Sequence, residues 1–145
     1  MILIAHRGNI DGPNPERENH PEYIRETLDR HYHVEIDVWY KDSKWYLGHD
    51  LPQYEVEEDF FSESSLWCHA KNISALSRLL SIGAHCFWHQ SDDVTLTNLG
   101  YLWTYPGKQL TDKSICVMPE VASYTIEETF MCAGICSDHV GAYGE

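Results

Sequence analysis

Seven short apolar runs, separated by polar turns, constrain the fold of this chain more than any other feature of its sequence. Each run is too short for a helix, is rich in β-branched and aromatic residues, and closes on polar or reactive side chains. The runs are MILIAHRG, HVEIDVWY, SLWCHAKN, CFWHQ, YLWTYPG, SICVMPE and GICSDH. Their near-continuous apolar character is typical of strands covered on both faces, so it favours a parallel sheet.

Helix signals lie between some of these strands. The first predicted helix follows Asn19, its predicted N-cap, and has Pro21 in its first turn. The segment NISALSRLLSIGA has apolar residues at helical spacing. The segment TIEETFMCAG begins with a capping box from Thr125 to Glu128. The other connections are too short or too polar for helices, so we expect few of them.

The alternation of strand, loop and helix predicts a parallel α/β architecture with polar residues at the carboxyl ends of the strands. A complete barrel of this kind takes about 250 residues, whereas the chain has 145. We therefore expect one domain over residues 1–145, a reduced TIM-type (β/α) barrel with seven or eight mainly parallel strands and several helices shortened or missing. An open, partial barrel completed by a second chain is the alternative, and thinly covered strands favour a homodimer in either case.

Charge and composition narrow the classes of partner. The net charge of −13 comes from 23 acidic and 10 basic side chains, so nucleic-acid binding is disfavoured. No run approaches the roughly 18 apolar residues of a membrane span, and no basic leader precedes the first strand, so we expect a cytoplasmic protein without stable membrane insertion. The five cysteines are odd in number and show no CxxC pair, which predicts reduced, packed thiols.

Two carboxylates interrupt the apolar strand HVEIDVWY. Because side chains alternate along a strand, Glu35 and Asp37 share one face and lie about 7 Å apart. Two such charges raise each other's pKa unless a cation lies between them, and a divalent cation that prefers oxygen ligands would account for the pair. The alternative is a solvated strand face that carries two acids.

Histidines end two of the predicted strands. His6 titrates near neutral pH, and Arg7 is a fixed cation suited to phosphate oxygens. His49 stands before Asp50 at the end of the return strand of a hairpin. A histidine beside a carboxylate can act as an acid or a base, although each histidine taken singly can also be structural.

Four short motifs, in order along the first 50 residues, resemble the glycerophosphodiester phosphodiesterases of the phosphatidylinositol phospholipase C-like barrel superfamily. The motifs are His6-Arg7-Gly8, Glu18-Asn19, Glu35-Ile36-Asp37 and His49-Asp50. Together they are far more specific than any one alone. Further on, His69-Ala70-Lys71 stands where the family has Glu-x-Lys, and Ser137-Asp138 stands where its closing strand commonly has Thr-Asp.

The resemblance implies a metal-dependent phosphodiesterase acting on a glycerophosphodiester-like small phosphodiester. Glu35, Asp37 and His69 would hold one divalent cation, which is Mg²⁺ or Ca²⁺ in the family. A histidine in place of the family's glutamate removes one negative charge and makes Mn²⁺ or Zn²⁺ an alternative.

The same resemblance implies roles for the remaining residues. Arg7 and Lys71 would bind the phosphate, and His6 and His49 would form the acid and base pair. Candidates for supporting roles around them are Glu18, Asn19, Asp50, His89 and Glu120. Two alternatives stay open: a catalytically silent relative that binds a phosphorylated ligand, and a different metal-dependent reaction, such as a phosphate-lyase reaction, that uses the same histidines.

Overall fold

The computed structural model describes residues 1–144, which form a mixed α/β fold on one curled sheet. Its strands are β1 (Ile2–His6), β2 (His33–Lys41), β3 (Lys44–Leu47), β4 (Tyr54–Val56), β5 (Leu66–Ala70), β6 (Cys86–Phe87), β7 (Val94–Leu96), β8 (Leu102–Thr104), β9 (Ser114–Val117) and β10 (Gly134–Ser137). The helices are α1 (Pro21–Asp29), α2 (Ile73–Ser81) and α3 (Ile126–Phe130), and single 3₁₀ segments cover Glu58–Ser62, Pro119–Val121 and Val140–Tyr143.

Seven strands form a parallel arc in the order β6-β5-β2-β1-β10-β9-β8. They are the seven apolar runs of the sequence, so the predicted α/β class and the scarcity of helices are confirmed. The sheet is nevertheless mixed, because β3 and β4 continue antiparallel from β2 and β7 pairs antiparallel with β8. Within residues 1–144 a complete parallel TIM barrel is not formed, since β6 has two residues and no ladder joins it to β8.

Hydrogen bonds from the segment after β7 link to β6, at the edge of the arc opposite β8. The backbone N–H of Asn98 donates to the carbonyl of Cys86 at 3.1 Å, and the Asn98 side chain accepts from the Cys86 N–H at 2.8 Å and donates to the Ala84 carbonyl at 2.9 Å. Across the same gap the rings of Phe87 and Trp103 stack with centroids 4.5 Å apart. The sheet therefore curls far enough to bring its two edges together.

One apolar cluster fills the inside of the curl. Each parallel strand except β2 contributes one residue to it: Ile4, Trp67, Phe87, Trp103, Ile115 and Cys136. The β2 residues in register with the inward-facing Trp67 and His69 are Glu35 and Asp37. The opposite face of β2, with Ile36 and its neighbours, packs against α1 and α2 in a second cluster. The strand alternation predicted for the two carboxylates is thus present, and they point into the curl.

Helix caps follow the sequence in one case and depart from it in another. The capping box from Thr125 to Glu128 is confirmed, with both reciprocal hydrogen bonds present. The predicted N-cap of α1 was wrong, because His20 caps that helix and Asn19 turns inward to Asp37. A buried carboxylate has a stronger demand for hydrogen bonds than an exposed helix end, which water can satisfy.

Two further expectations concern thiols and membranes. All five cysteines are free and buried, as the sequence predicted. Within residues 1–144, no helix combines the length and the apolar content that a bilayer crossing requires.

We expect His85 to lower the free energy of unfolding as the pH drops from about 6.5 towards 4. Burial, with a smaller contribution from His33, lowers the pKa of His85 to about 4, so the unfolded chain takes up this proton first. The imidazole packs on Trp67, with ring centroids 4.1 Å apart, and bonds to Thr97. The loss should be of the order of 2 kcal/mol.

Urea unfolding at pH 7, 5.5 and 4.5 measures this loss. His85→Gln keeps a hydrogen-bonding side chain and should remove this contribution, so the change in stability from pH 7 to pH 4.5 should be less unfavourable than in the wild type. His31→Asn, at an exposed histidine, should change with pH as the wild type does. Equal pH dependence in both variants would contradict the assignment to His85.

Candidate functional site

A cavity of about 410 Å³ opens at the carboxyl ends of the parallel strands. The predicted site residues that line it are His6, Arg7, Glu35, Asp37, His49, His69, Lys71 and His89. These are all the side chains for which sequence predicted a metal, phosphate or acid–base role, together with one supporting candidate. The parallel register of β1, β2 and β5 brings them together from distant parts of the sequence.

Glu35, Asp37 and His69 form a cluster that could hold a metal ion. One ligand atom of each lies within 4.8 Å of the other two. The Nδ1 atom of His69 is 3.3 Å from Asp37 Oδ1 and 3.8 Å from Glu35 Oε2. The ladder between β2 and β5 pairs Asp37 with His69, so the cluster follows from strand register.

The two carboxylates of the cluster differ in their surroundings. Burial and the neighbouring Asp37 raise the pKa of Glu35, and its Oε1 atom is buried without a hydrogen-bond partner among the described residues. Burial also opposes ionisation of Asp37, but its hydrogen bond with His69 and the charges of His69 and Arg7 lower its pKa to about 2. The unpartnered oxygen of Glu35 is therefore an acceptor that a cation can satisfy.

The orientation of His69 suits a metal ligand. Its Nε2 atom lies 2.8 Å from the backbone carbonyl of His89, and because a carbonyl only accepts, Nε2 carries the proton. Burial lowers the pKa of His69, but the hydrogen bond to Asp37 and the charge of Glu35 outweigh it, so the pKa is raised and Nδ1 also carries a proton, directed at Asp37. Loss of that proton leaves a lone pair on Nδ1, which faces the two carboxylates. A carbonyl that fixes the tautomer in this way is the usual support of a histidine that binds a metal.

Asn19 forms two hydrogen bonds with Asp37. Its side-chain amide donates to Asp37 Oδ2 at 2.9 Å, and its oxygen accepts from the Asp37 backbone N–H at 3.0 Å. Asn19 is buried and has a φ of 65°. The left-handed backbone, which asparagine tolerates, turns the side chain into the sheet.

Asp138 fixes the orientation of His6, a role that the sequence did not predict. Its Oδ1 atom lies 2.8 Å from His6 Nδ1 and accepts from the Asn9 side chain at 2.9 Å. Burial lowers the pKa of His6, but the hydrogen bond to Asp138 and the charge of Glu35 outweigh it, so the pKa is raised. The other ring nitrogen, Nε2, lies 3.8 Å from Glu35. The motif Ser137-Asp138 was the available signal, yet its partner is 132 positions away.

The two side chains predicted to bind phosphate, Arg7 and Lys71, differ in how far nearby carboxylates neutralise their charge. Arg7 Nε lies 3.3 Å from Asp37 Oδ2, and Arg7 Nη1 donates to Glu18 at 3.4 Å. Glu18 also accepts from the Asn14 backbone N–H, so it fixes the loop beside Arg7. Lys71 has no carboxylate within ion-pair distance among residues 1–144. Its positive charge at the cavity wall is therefore available to an anion.

His49 is the most exposed of the predicted catalytic residues. It follows Gly48, whose φ is 155°, and a Cβ at Gly48 would overlap the carbonyl oxygen of Leu51. Only glycine therefore allows the tight turn that presents His49 at the cavity. His49 Nδ1 lies 2.7 Å from Asp50.

The last two supporting candidates lie in different places. The His89 ring lines the cavity with its Nδ1 atom 3.1 Å from Asp92. Glu120 is exposed and does not line the cavity. Both carboxylate oxygens of Glu120 accept from the Ser137 hydroxyl, at 2.9 and 3.0 Å. Ser137 precedes Asp138 in the sequence.

Comparison of the chain with protein-family models, with curated proteins and with solved structures finds no match in any of the three.

We expect Asn19→Gly to lower the free energy of unfolding by about 1–3 kcal/mol, because it leaves the buried N–H and carboxylate of Asp37 without these partners. Glycine keeps the left-handed backbone, so the change reports the lost hydrogen bonds. Urea unfolding measures the free energy of both Asn19→Gly and the control Asn14→Gly. The Asn14 side chain forms no hydrogen bond with the described residues. Equal losses in both variants would refute the role given to Asn19.

Proposed function

We propose that this chain is a metal-dependent phosphodiesterase that hydrolyses a glycerophosphodiester-like small phosphodiester with His6 and His49 as acid and base. The observation that carries the proposal is the convergence on one cavity of a buried Glu35-Asp37-His69 cluster, the fixed His6 and Lys71. Within residues 1–144 Lys71 has no ion-pair partner. A module that merely binds a phosphate needs the cations but not a matched pair of histidines.

The curled sheet supports a reduced (β/α) barrel as the parent architecture. Its parallel arc has the strand directions of such a barrel, and the site residues lie at the carboxyl ends of the strands, where barrels of this kind carry active sites. The order of the four motifs along the first 50 residues also supports a reduced (β/α) barrel.

The residues fit a divalent cation. Among residues 1–144 Glu35 has a buried oxygen without a hydrogen-bond partner, and Asp37 is ionised. His69 turns Nδ1 towards both carboxylates, and that nitrogen would offer its lone pair to a cation that replaces its proton. These three side chains would hold the ion, which when bound polarises a phosphoryl oxygen. Two carboxylates and one imidazole are a donor set for Mn²⁺ or Zn²⁺ more than for Ca²⁺, which prefers oxygen ligands alone.

The basic side chains receive the substrate. Arg7 and Lys71 lie on the cavity wall, so the planar guanidinium contacts one phosphate oxygen and the ammonium group adds a second positive charge. Glu18 and Asp37 hold Arg7 in place before the substrate arrives. Little side-chain entropy is then lost on binding.

His6 and His49 move the protons. One histidine takes the proton from a water or a neighbouring substrate hydroxyl as its oxygen bonds to phosphorus. The other gives a proton to the oxygen of the departing alcohol as the bond from phosphorus to that oxygen breaks. Asp138 keeps the His6 ring in orientation, and Asp50 does the same for His49.

We expect His6→Ala and His49→Ala each to reduce turnover at least about 100-fold while metal binding persists. Glu35→Gln should instead lose metal affinity first. Hydrolysis of glycerophosphoethanolamine and of bis(p-nitrophenyl) phosphate is measured with Mg²⁺, Ca²⁺, Mn²⁺, Zn²⁺ or EDTA, and metal binding by calorimetry.

His31→Asn, at an exposed histidine outside the cavity, is the control and should keep full activity. A His6 variant with undiminished turnover removes that residue from the mechanism. Metal binding without turnover of any diester would instead favour the catalytically silent relative.

The choice of metal gives a separate prediction. His69→Glu restores an all-oxygen donor set, so the ratio of Ca²⁺ to Mn²⁺ affinity should rise at least about tenfold. Calorimetric titration of each ion into the wild type, His69→Glu and the control His85→Gln measures the ratio without reference to activity. An unchanged ratio in His69→Glu would show that His69 is not a ligand.

A further inference from the structure

We infer that the substrate is an asymmetric phosphodiester, with one apolar alcohol and one short alcohol that carries hydroxyl groups. This inference rests on the proposed function and concerns the two sides of the same site. Two cavities, of about 410 and 320 Å³, lie side by side, and Arg7 and His49 line both. Both volumes fall near the lower end of the range for small-molecule sites, about 300–1,000 Å³.

The phosphate belongs at the boundary between the cavities. The metal-ligating cluster and Lys71 line the larger cavity alone, while Arg7 reaches both. A phosphorus atom placed beside Arg7 and the cluster leaves one ester arm in the larger cavity and directs the other past His49 into the smaller one. None of the three cluster residues lines the smaller cavity, so it suits an ester arm better than the reacting phosphorus atom.

The larger cavity has an apolar wall in addition to its charged side chains. The residues of this wall are Trp103, Tyr105, Pro106, Val117, Met118 and Val121. Trp103 is 4% exposed and stacked on Phe87, so it is fixed, whereas Tyr105 is 49% and Val121 68% exposed. The His89 ring borders this wall, with its centroid 5.9 Å from that of Tyr105. An apolar alcohol would cover the exposed parts of Tyr105 and Val121.

The smaller cavity has more polar than apolar lining residues, although Pro15 and Leu51 belong to it. Its walls contain the oxygen acceptors of Glu18, Asp50 and Gln53. The Gln53 amide donates to the Tyr54 hydroxyl at 3.1 Å, so its carbonyl oxygen stays available, and each carboxylate oxygen has a second lone pair. These acceptors suit the hydroxyl groups of a glycerol-like alcohol and repel a second negative charge.

Diesters that differ in one alcohol test the apolar arm. Glycerol phosphodiesters of n-octanol, benzyl alcohol, ethanolamine and choline are compared by ³¹P NMR at saturating Mn²⁺, since none has an activated aryl leaving group. We expect kcat/KM at least about tenfold higher for the octyl or the benzyl diester than for the ethanolamine diester. Comparison of kcat/KM for the octyl and the benzyl diester shows whether the site prefers an alkyl chain or an aromatic ring. Equal values, or a preference for choline, would overturn the inference.

The polar arm and the wall have tests of their own. Octyl ethyl phosphate, which lacks the hydroxyl groups, should compete with octyl glyceryl phosphate with an inhibition constant at least about tenfold above the KM of that substrate. This readout measures recognition and not the loss of a nucleophile, and an inhibition constant equal to that KM would overturn this part. Val121→Ser should lower the octyl to ethanolamine ratio about threefold or more. Val94→Ser changes an exposed valine that lines neither cavity and should leave that ratio unchanged.

Failure of the inference and failure of the proposed function give different results. If all the diesters react with the same kcat/KM and the reaction needs a metal and His6, the substrate inference fails and the phosphodiesterase proposal stands. If no diester reacts with any metal, including bis(p-nitrophenyl) phosphate, both fail.

Discussion

Two carboxylates buried inside the curled sheet determine much of the surrounding structure. Glu35 and Asp37 are 2% and 1% exposed, and burying a charge costs several kcal/mol unless hydrogen bonds and opposite charges offset it. Asn19, Arg7 and His69 provide that compensation from three different segments. Both Arg7 and Asn19 take left-handed backbone to reach Asp37, with φ values of 55° and 65°. The path of the loop between β1 and α1 is therefore fixed by the charge it must satisfy, more than by its own turn propensities.

The same pair explains how the interior divides into two halves. β2 contributes two charged residues to the interior, whereas each of the six remaining parallel strands contributes one apolar residue. Three of these apolar residues are aromatic: Trp67, Phe87 and Trp103. Large rings fill the space on the apolar side and leave the cavity at the end where Glu35 and Asp37 need polar neighbours. Few helices are needed for this interior, since β3 and β4 extend β2 and the segment after β7 joins the edges of the arc.

The sequence predicted what depends on local pattern and missed what depends on distant partners. All seven parallel strands were predicted, because short apolar runs are read from neighbouring residues, and the shared face of Glu35 and Asp37 follows from alternation. The strands β4 and β7 were not predicted, because each has three residues and neither contains an apolar run. The cap assigned to Asn19 was wrong because a tertiary contact with Asp37 overrides a helix-end preference. No local pattern could reveal that Asp138 bonds to His6.

The position of Asp138 ties completion of the site to completion of the sheet. β10 pairs with β1 in a register that sets Ser137 beside Ala5, so Asp138 and His6 follow as neighbours at the carboxyl end. Hydrogen bonds among Asp138, His6 and Asn9 therefore form only when the last strand docks against the first. The carboxylates and His69, in contrast, come together through β2 and β5 alone. A metal site assembled by two neighbouring strands and an acid–base residue oriented by the closing strand depend on different contacts, so a change that loosens β10 should disturb proton transfer before it disturbs the ligand cluster.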